Sequence, residues 1–176
     1  MIWFFIILLI VFTICFYYAN IYNLFQTLII KINEAENKID ITIRERYDLL
    51  VNATSFIKEK IDVEIMIDLK NLQQEELSSF DLERKLVALS KEFYESKYKY
   101  KNLSKIEDFI KIEFELKENE ASLDGYIEYY NENITKYNKL IKVLFSNLIA
   151  KIHKLKIKNY YDGKNLEDKN NNDFKL

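Results

Sequence analysis

Leu28 to Ile61 reads LIIKINEAENKIDITIRERYDLLVNATSFIKEKI, and within it Leu28, Ile32, Ala35, Ile39, Ile43, Leu50, Ala53, Ile57 and Ile61 follow three- and four-residue steps, with Tyr47 filling the one gap. That spacing keeps a continuous apolar stripe on one side of a helix. The stripe predicts a helix running past Ile65 and Leu69 into the polar stretch Asn71 to Glu76. Composition argues the same way. The chain of 176 residues has no proline and only Gly125 and Gly163, so the usual terminators of helices and makers of tight turns are scarce. The expected class is all-α, with room for one domain of ordinary size and an anchor.

Toward the N-terminus the stripe gives way to Ile2, Trp3, Phe4, Phe5, Ile6, Ile7, Leu8, Leu9, Ile10, Val11, Phe12, Thr13, Ile14, Cys15, Phe16, Tyr17, Tyr18 and Ala19, with no charged side chain before Lys31. From Ile2 to Tyr18 a helix rises roughly 25 Å, near the lower limit for a membrane span, and Ala19 to Phe25 can extend it. Trp3 at one end and Tyr17, Tyr18 and Tyr22 at the other suit the two interfaces. The start lacks the basic residues of a signal peptide, Ala19-Asn20-Ile21 does not read as a cleavage site, and Ile14 before Cys15 does not fit a lipoprotein. The segment is therefore expected to stay on the protein. Lys31, Lys38, Arg44 and Arg46 all follow the span and no Lys or Arg precedes it, which predicts an N-terminus outside and a cytoplasmic remainder.

Further along, Ser78 and Ser79 mark an expected break, and Leu82, Leu86, Leu89 and Phe93 start a second stripe that should end near Tyr98 to Asn102. Ser104 with Glu107 has the form of a capping box for a third helix. Its stripe runs Ile106, Phe109, Leu116, Leu123, Ile127, Tyr130, Ile134, Tyr137, Ile141 and Leu144, with an irregular stretch around Ile112 and Phe114. Gly125 inside it is expected to cost about 1 kcal/mol and to allow close helix contact or a bend. Ser146 is expected to cap a short last helix from Asn147 to about Lys158. Each stripe must bury its apolar face, so the predicted architecture is an N-terminal transmembrane helix continuous with an antiparallel up-and-down bundle of three long helices plus a short C-terminal helix. The expected limits are 1–22 for the anchor, 23–160 for the bundle and 161–176 for a polar tail, with stripe-free sequence from Asn159 onward read as mobile.

Few residues suggest chemistry. Lys and Arg number 26 against 28 Asp and Glu, with no basic block to neutralise a phosphate backbone, so nucleic-acid binding is not expected. Cys15 is the only cysteine, which removes intramolecular disulfides and cysteine-based metal sites. His153 is the only histidine, and Ala150 stands where a carboxylate-bridged metal bundle needs a glutamate. Two glycines build no phosphate-cradling loop, and no acid–base relay surrounds His153. No cofactor, metal or catalytic activity is expected. Glu36, Asp40, Arg44 and Asp48 stand four residues apart, a ladder that reads first as a solvated face worth about 0.2–0.5 kcal/mol per pair and second as a docking strip.

The pairs Tyr22-Asn23, Tyr47-Asp48, Tyr130-Asn131 and Tyr137-Asn138 are more unusual. A tyrosine on an apolar stripe buries its ring and needs a partner for its hydroxyl, which an amide or carboxylate on a facing helix could supply. Tyr47, Tyr130 and Tyr137 are the candidates for such register-setting contacts. Ordinary boundary tyrosines are the competing explanation.

These residues also carry a family likeness. Tyr22-Asn23-Leu24-Phe25, then Glu34-Ala35-x-x-x-Ile39-Asp40 followed by Arg46-Tyr47-Asp48-Leu49-x-x-Asn52, then Leu116-Lys117-x-Asn119-Glu120, Tyr130-Asn131, Tyr137-Asn138 and Ser146-Asn147-Leu148-Ile149-Ala150, resemble the LemA family of bacterial membrane proteins over about residues 1 to 162. Val51, Lys101 and Phe145 stand where that family usually has prolines. The resemblance implies a single N-terminal span, an outside N-terminus and a cytoplasmic four-helix bundle. It also implies a link, through gene neighbourhood, to a membrane zinc metalloprotease system and envelope maintenance. It assigns no activity to any residue.

Two functions fit these observations. The first is a non-enzymatic scaffold held to membrane lipid by the span and presenting its bundle to a protein partner. The second is a self-assembling structural or membrane-remodelling protein, in which Lys151, Lys154, Lys156 and Lys158 alternate with Leu148, Ile149, Ile152, Leu155 and Ile157 on a basic amphipathic segment. Self-association into a homo-oligomer is left open.

Overall fold

A computed structural model describes residues 1–72, 77 and 79–161. Among them every regular element is helical: α1 (Ile2–Ile61), α2 (Leu69–Leu72), α3 (Ser79–Lys99), a 3-10 turn (Leu103–Lys105), α4 (Glu107–Lys142) and α5 (Leu144–Ile152). The expected break at Ser78 and the polar residues 73–76 lie outside the described residues, as does the tail from residue 162 onward.

The chain forms two compact units. One comprises Met1–Ala35 and Tyr129–Tyr161, and the other comprises Glu36–Glu128 among the described residues. In the first unit Phe25, Leu28, Ile32 and Ala35 of α1 are buried, as are Ile134, Tyr137 and Ile141 of α4 and Ile149 and Ala150 of α5. The Phe25 and Tyr137 rings meet edge-to-face at 5.8 Å, the geometry their quadrupoles favour. The side chains from Ile2 to Phe16 are all exposed, whereas Tyr17 and Tyr18 are partly covered. By length and composition α1 is the one candidate membrane-crossing helix among the described residues.

In the second unit Ile39, Ile43, Leu50, Ala53 and Ile57 continue the α1 stripe into a core with Leu86, Leu89 and Phe93 of α3 and Phe109, Leu116 and Leu123 of α4. Phe93 stacks on Phe109 at 4.9 Å. Glu113 receives Lys97 of α3 and Lys117 of its own helix, each at 2.7 Å.

Several helix limits differ from the sequence expectation. α1 stops at Ile61, because Asp62 takes a left-handed φ of 54° and its N–H closes the last turn on the Lys58 carbonyl at 3.0 Å. Ile65 and Leu69 are buried nonetheless, so their apolar side chains follow the core without continuing the helix. At the one gap in the stripe, Arg46 is buried and Tyr47 only half-buried, because the three-residue step from Ile43 falls on Arg46. Ser104 lies in the 3-10 turn and donates to the Lys101 carbonyl, so it forms no capping box on α4. Leu144 leaves the α4 stripe and opens α5, where it is exposed.

α5 begins earlier than expected and ends earlier. Its first turn contains Ser146, which donates to the carbonyls of Leu140 and Val143 at 2.6 and 3.2 Å, while Asn147 donates to Ile141 at 2.8 Å. Asn147 satisfies the Ile141 carbonyl that the end of α4 leaves orphaned and Ser146 ties the Leu140 carbonyl to the start of α5, which is a different task from capping α5. Lys154, with φ 54°, then terminates α5. Leu155 N–H reaches the Ala150 carbonyl at 2.8 Å and Lys154 N–H the Lys151 carbonyl at 3.2 Å, the paired bonds of a Schellman motif. The amphipathic helix expected through Lys158 therefore breaks after Ile152.

Candidate functional site

Beyond α5 the chain runs without helix to Tyr161 and is strapped to α4. Asn138 Nδ2 donates to the Lys158 carbonyl at 2.8 Å and its Oδ1 accepts the Lys158 N–H at 3.0 Å. Asn131 makes the same pair with Tyr161, both bonds at 2.8 Å. The two asparagines stand seven residues apart, about 10 Å along a helix, and three extended residues also span about 10 Å. Helix and strap match in length, so each amide can satisfy one backbone donor and one backbone acceptor. Tyr130 adds a hydroxyl bond to the Asn159 carbonyl at 3.2 Å. Within the Tyr-Asn pairs of α4, then, the asparagines make the specific contacts. Tyr130 reaches a backbone carbonyl of the strap, and Tyr137 is buried against Phe25, its hydroxyl pKa raised by that burial. Residues Asn159 to Tyr161, read from sequence as the start of a tail, belong to this strap.

The second unit holds a buried polar cluster. Arg46 Nε donates to Asn119 Oδ1 at 3.1 Å, and Asn119 Nδ2 donates to the Thr42 carbonyl at 2.9 Å. All three residues are buried. Glu83 of α3 is buried as well, and its Oε2 has no hydrogen-bond partner among the described residues. Burial pushes the Glu83 carboxyl up to about 7; the Arg46 charge pulls it down and Asp124 adds to the rise. Burial likewise holds the Tyr94 hydroxyl well above the ordinary tyrosine range, with Glu120 adding to the effect. This cluster can hold and release a proton near neutral pH. It offers no nucleophile paired with a base.

Beside it a cleft of about 440 Å³ opens between α1 and α4, floored by Thr42 and Asn119 and walled by Glu45, Asp48, Glu115 and Glu118 with Asn52, Ser122 and Tyr126. Asp48 and Asn52, singled out in the sequence, are thereby brought together with carboxylates of α4 that carried no sequence signal. The rest of the predicted set is dispersed. Ala35 and Ile39 are core residues. Asp40 accepts a hydrogen bond from Ser79, and no ion pair joins Arg44 to Asp40 or Asp48 among the described residues, so the expected charge ladder is not built there. Tyr47 lines a shallow cleft with Val51 and Met66. Asn23 and Glu34 are exposed, and Leu148 is exposed on α5. Among the described residues no three His, Cys, Asp or Glu side chains are grouped to hold a metal ion.

His153, weighed from sequence only as a metal ligand or acid–base group, has partners that the sequence did not suggest. A ring nitrogen lies 2.6 Å from the Tyr18 hydroxyl, and the ring packs on Tyr22 at 4.6 Å, while Tyr18 and Tyr22 stack at 6.4 Å. Only the tertiary fold brings position 153 to the end of the apolar run.

These features define an all-helical protein with one long apolar N-terminal helix. A model of the LemA family matches residues 35–174, and the chain belongs to the LemA family. No curated protein and no solved structure matches it significantly.

Proposed function

We propose that this chain is a non-enzymatic, membrane-tethered scaffold. α1 crosses the cytoplasmic membrane through Ile2–Ala19 with the N-terminus outside, and the helices beyond form an antiparallel up-and-down bundle in the cytoplasm that presents a surface to another protein. The observation that carries this reading is the run of large apolar side chains from Ile2 to Phe16 left uncovered by the fold, a surface that water does not tolerate and hydrocarbon does. Pairing supports the antiparallel arrangement, since Lys38 meets the Tyr126 ring at 5.6 Å while Arg46, further along α1, meets Asn119, earlier on α4. The acidic cleft supplies the second unit with a concave charged surface for a partner. Envelope maintenance alongside a membrane metalloprotease system is the process the family suggests.

The test is cysteine accessibility in intact cells, in a Cys15→Ala background. Ile2→Cys should react with a membrane-impermeant maleimide and Tyr98→Cys only after lysis. Labelling of Tyr98→Cys in intact cells would overturn the orientation, and release of the chain by alkaline carbonate would overturn the tether. A self-assembling or membrane-remodelling role is the competing reading, and the exposed face of α5 favours it.

A further inference from the structure

α5 is apolar on two sides. Ser146, Ile149 and Ala150 are buried, whereas Leu144, Phe145, Leu148 and Ile152 are 79, 68, 63 and 59% exposed. At about 100° per residue these four side chains fall in an arc of about 100°. Apart from the Tyr17 ring beside Phe145, that arc is left largely exposed among the described residues.

Its position follows from three contacts. Phe145 meets the Tyr17 ring at 6.4 Å, and His153 meets both Tyr18 and Tyr22. Phe145 and His153 are about 12 Å apart along α5, while Tyr17 and Tyr22 are about 7.5 Å apart along α1. α5 therefore lies obliquely across α1, at the level where the apolar run ends. Phe145 belongs to the exposed arc and also touches Tyr17, so that arc turns toward the run.

Charge agrees with the position. From Asn133 to Tyr161 the chain carries seven lysines and no Asp or Glu, although the whole chain is net negative. Lys142, Lys151, Lys154 and Lys156 are exposed on and around α5.

Resting on the reading of Ile2–Ala19 as a membrane span, we propose that α5 is a second membrane-contact element. It lies in the headgroup region where the span ends, with Leu144, Phe145, Leu148 and Ile152 inserted and the neighbouring lysines against anionic phospholipid. An amphipathic helix in this position sinks its apolar face about 5–10 Å below the interface, and lysines near an anionic surface strengthen the attachment.

Tryptophan quenching by brominated lipid tests this on the full chain, reconstituted in phosphatidylcholine vesicles with and without phosphatidylglycerol. Trp3 is the only native tryptophan, so Leu148→Trp is read in a Trp3→Phe background, with Phe145→Trp as a second reporter if the first variant loses helicity. In anionic vesicles, lipid brominated near the headgroup should remove about half the emission, and less without phosphatidylglycerol, while Tyr98→Trp should be unaffected. Unquenched, water-like emission from Leu148→Trp overturns the proposal. Blue-shifted emission that bromine does not quench also overturns it, in favour of a second copy of the chain on this face. Quenching that ignores phosphatidylglycerol overturns the role given to the lysines. Trp3 of the unmodified chain separates the two readings: if it is not quenched by deeply brominated lipid the tether itself fails, and if it is while Leu148→Trp is not, only the assignment of α5 fails.

Discussion

Glu83 makes stability depend on pH in a direction opposite to that of an ordinary surface carboxylate. Its ordinary value is 4.5, and in the folded chain burial raises it to about 7. The folded state then binds the proton more tightly than the unfolded state. The stabilisation is complete below pH 4.5, declines as pH rises and is gone above about pH 7. Each pH unit in that window is worth about 1.4 kcal/mol, so the decline attributable to Glu83 approaches roughly 3 kcal/mol. Glu83→Gln keeps the shape and removes the titration. The variant should match the parent within about 1 kcal/mol at pH 4.5, since both side chains are then neutral, and exceed it by roughly 3 kcal/mol at pH 8. Urea unfolding of the full chain in a non-ionic detergent, followed by circular dichroism at intervals from pH 4.5 to 8, reads the difference, and subtraction cancels groups common to both chains. Parallel curves would refute the reasoning. A variant less stable at pH 8 would show that attraction to Arg46 outweighs burial.

Other expectations follow from single side chains. A Cβ added at Gly125 meets nothing within 4 Å, so close helix contact is not what holds a glycine there, and Gly125→Ala should raise stability by about 1 kcal/mol in the same unfolding assay. Asn138→Ala removes both bonds to Lys158 and should cost about 1–3 kcal/mol; with Asn131→Ala added, amides from residue 155 to 161 should lose hydrogen-exchange protection while α4 keeps its own. Phe93→Ala opens the stack on Phe109 and should cost about 3–5 kcal/mol, seen as a lower melting temperature. Lys154→Gly should gain about 1 kcal/mol by relieving the left-handed φ that ends α5.

The helices were legible because apolar side chains recur at the helical period, and because a chain without proline and almost without glycine has few ways to stop. Their ends were not. Asp62 and Lys154 adopt the left-handed backbone that glycine usually marks, so neither end of the reading, past Ile65 or through Lys158, carried its usual warning. Local spacing also placed Tyr47 on the stripe, where one step of helical phase puts Arg46 instead. The polar contacts were hidden for a different reason: Arg46 and Asn119 are 73 residues apart, and Asn131 and Tyr161 are 30 apart, distances over which no periodicity speaks. By itself the sequence determined the helical class, the family and the long apolar run, all of which depend on residues near one another in the chain. Only the tertiary structure decided which carboxyl is buried beside Arg46, that two asparagines hold an extended strap, and that α5 with its lysines comes to rest beside Tyr17 and Tyr18, because burial and long-range pairing exist only once distant segments meet.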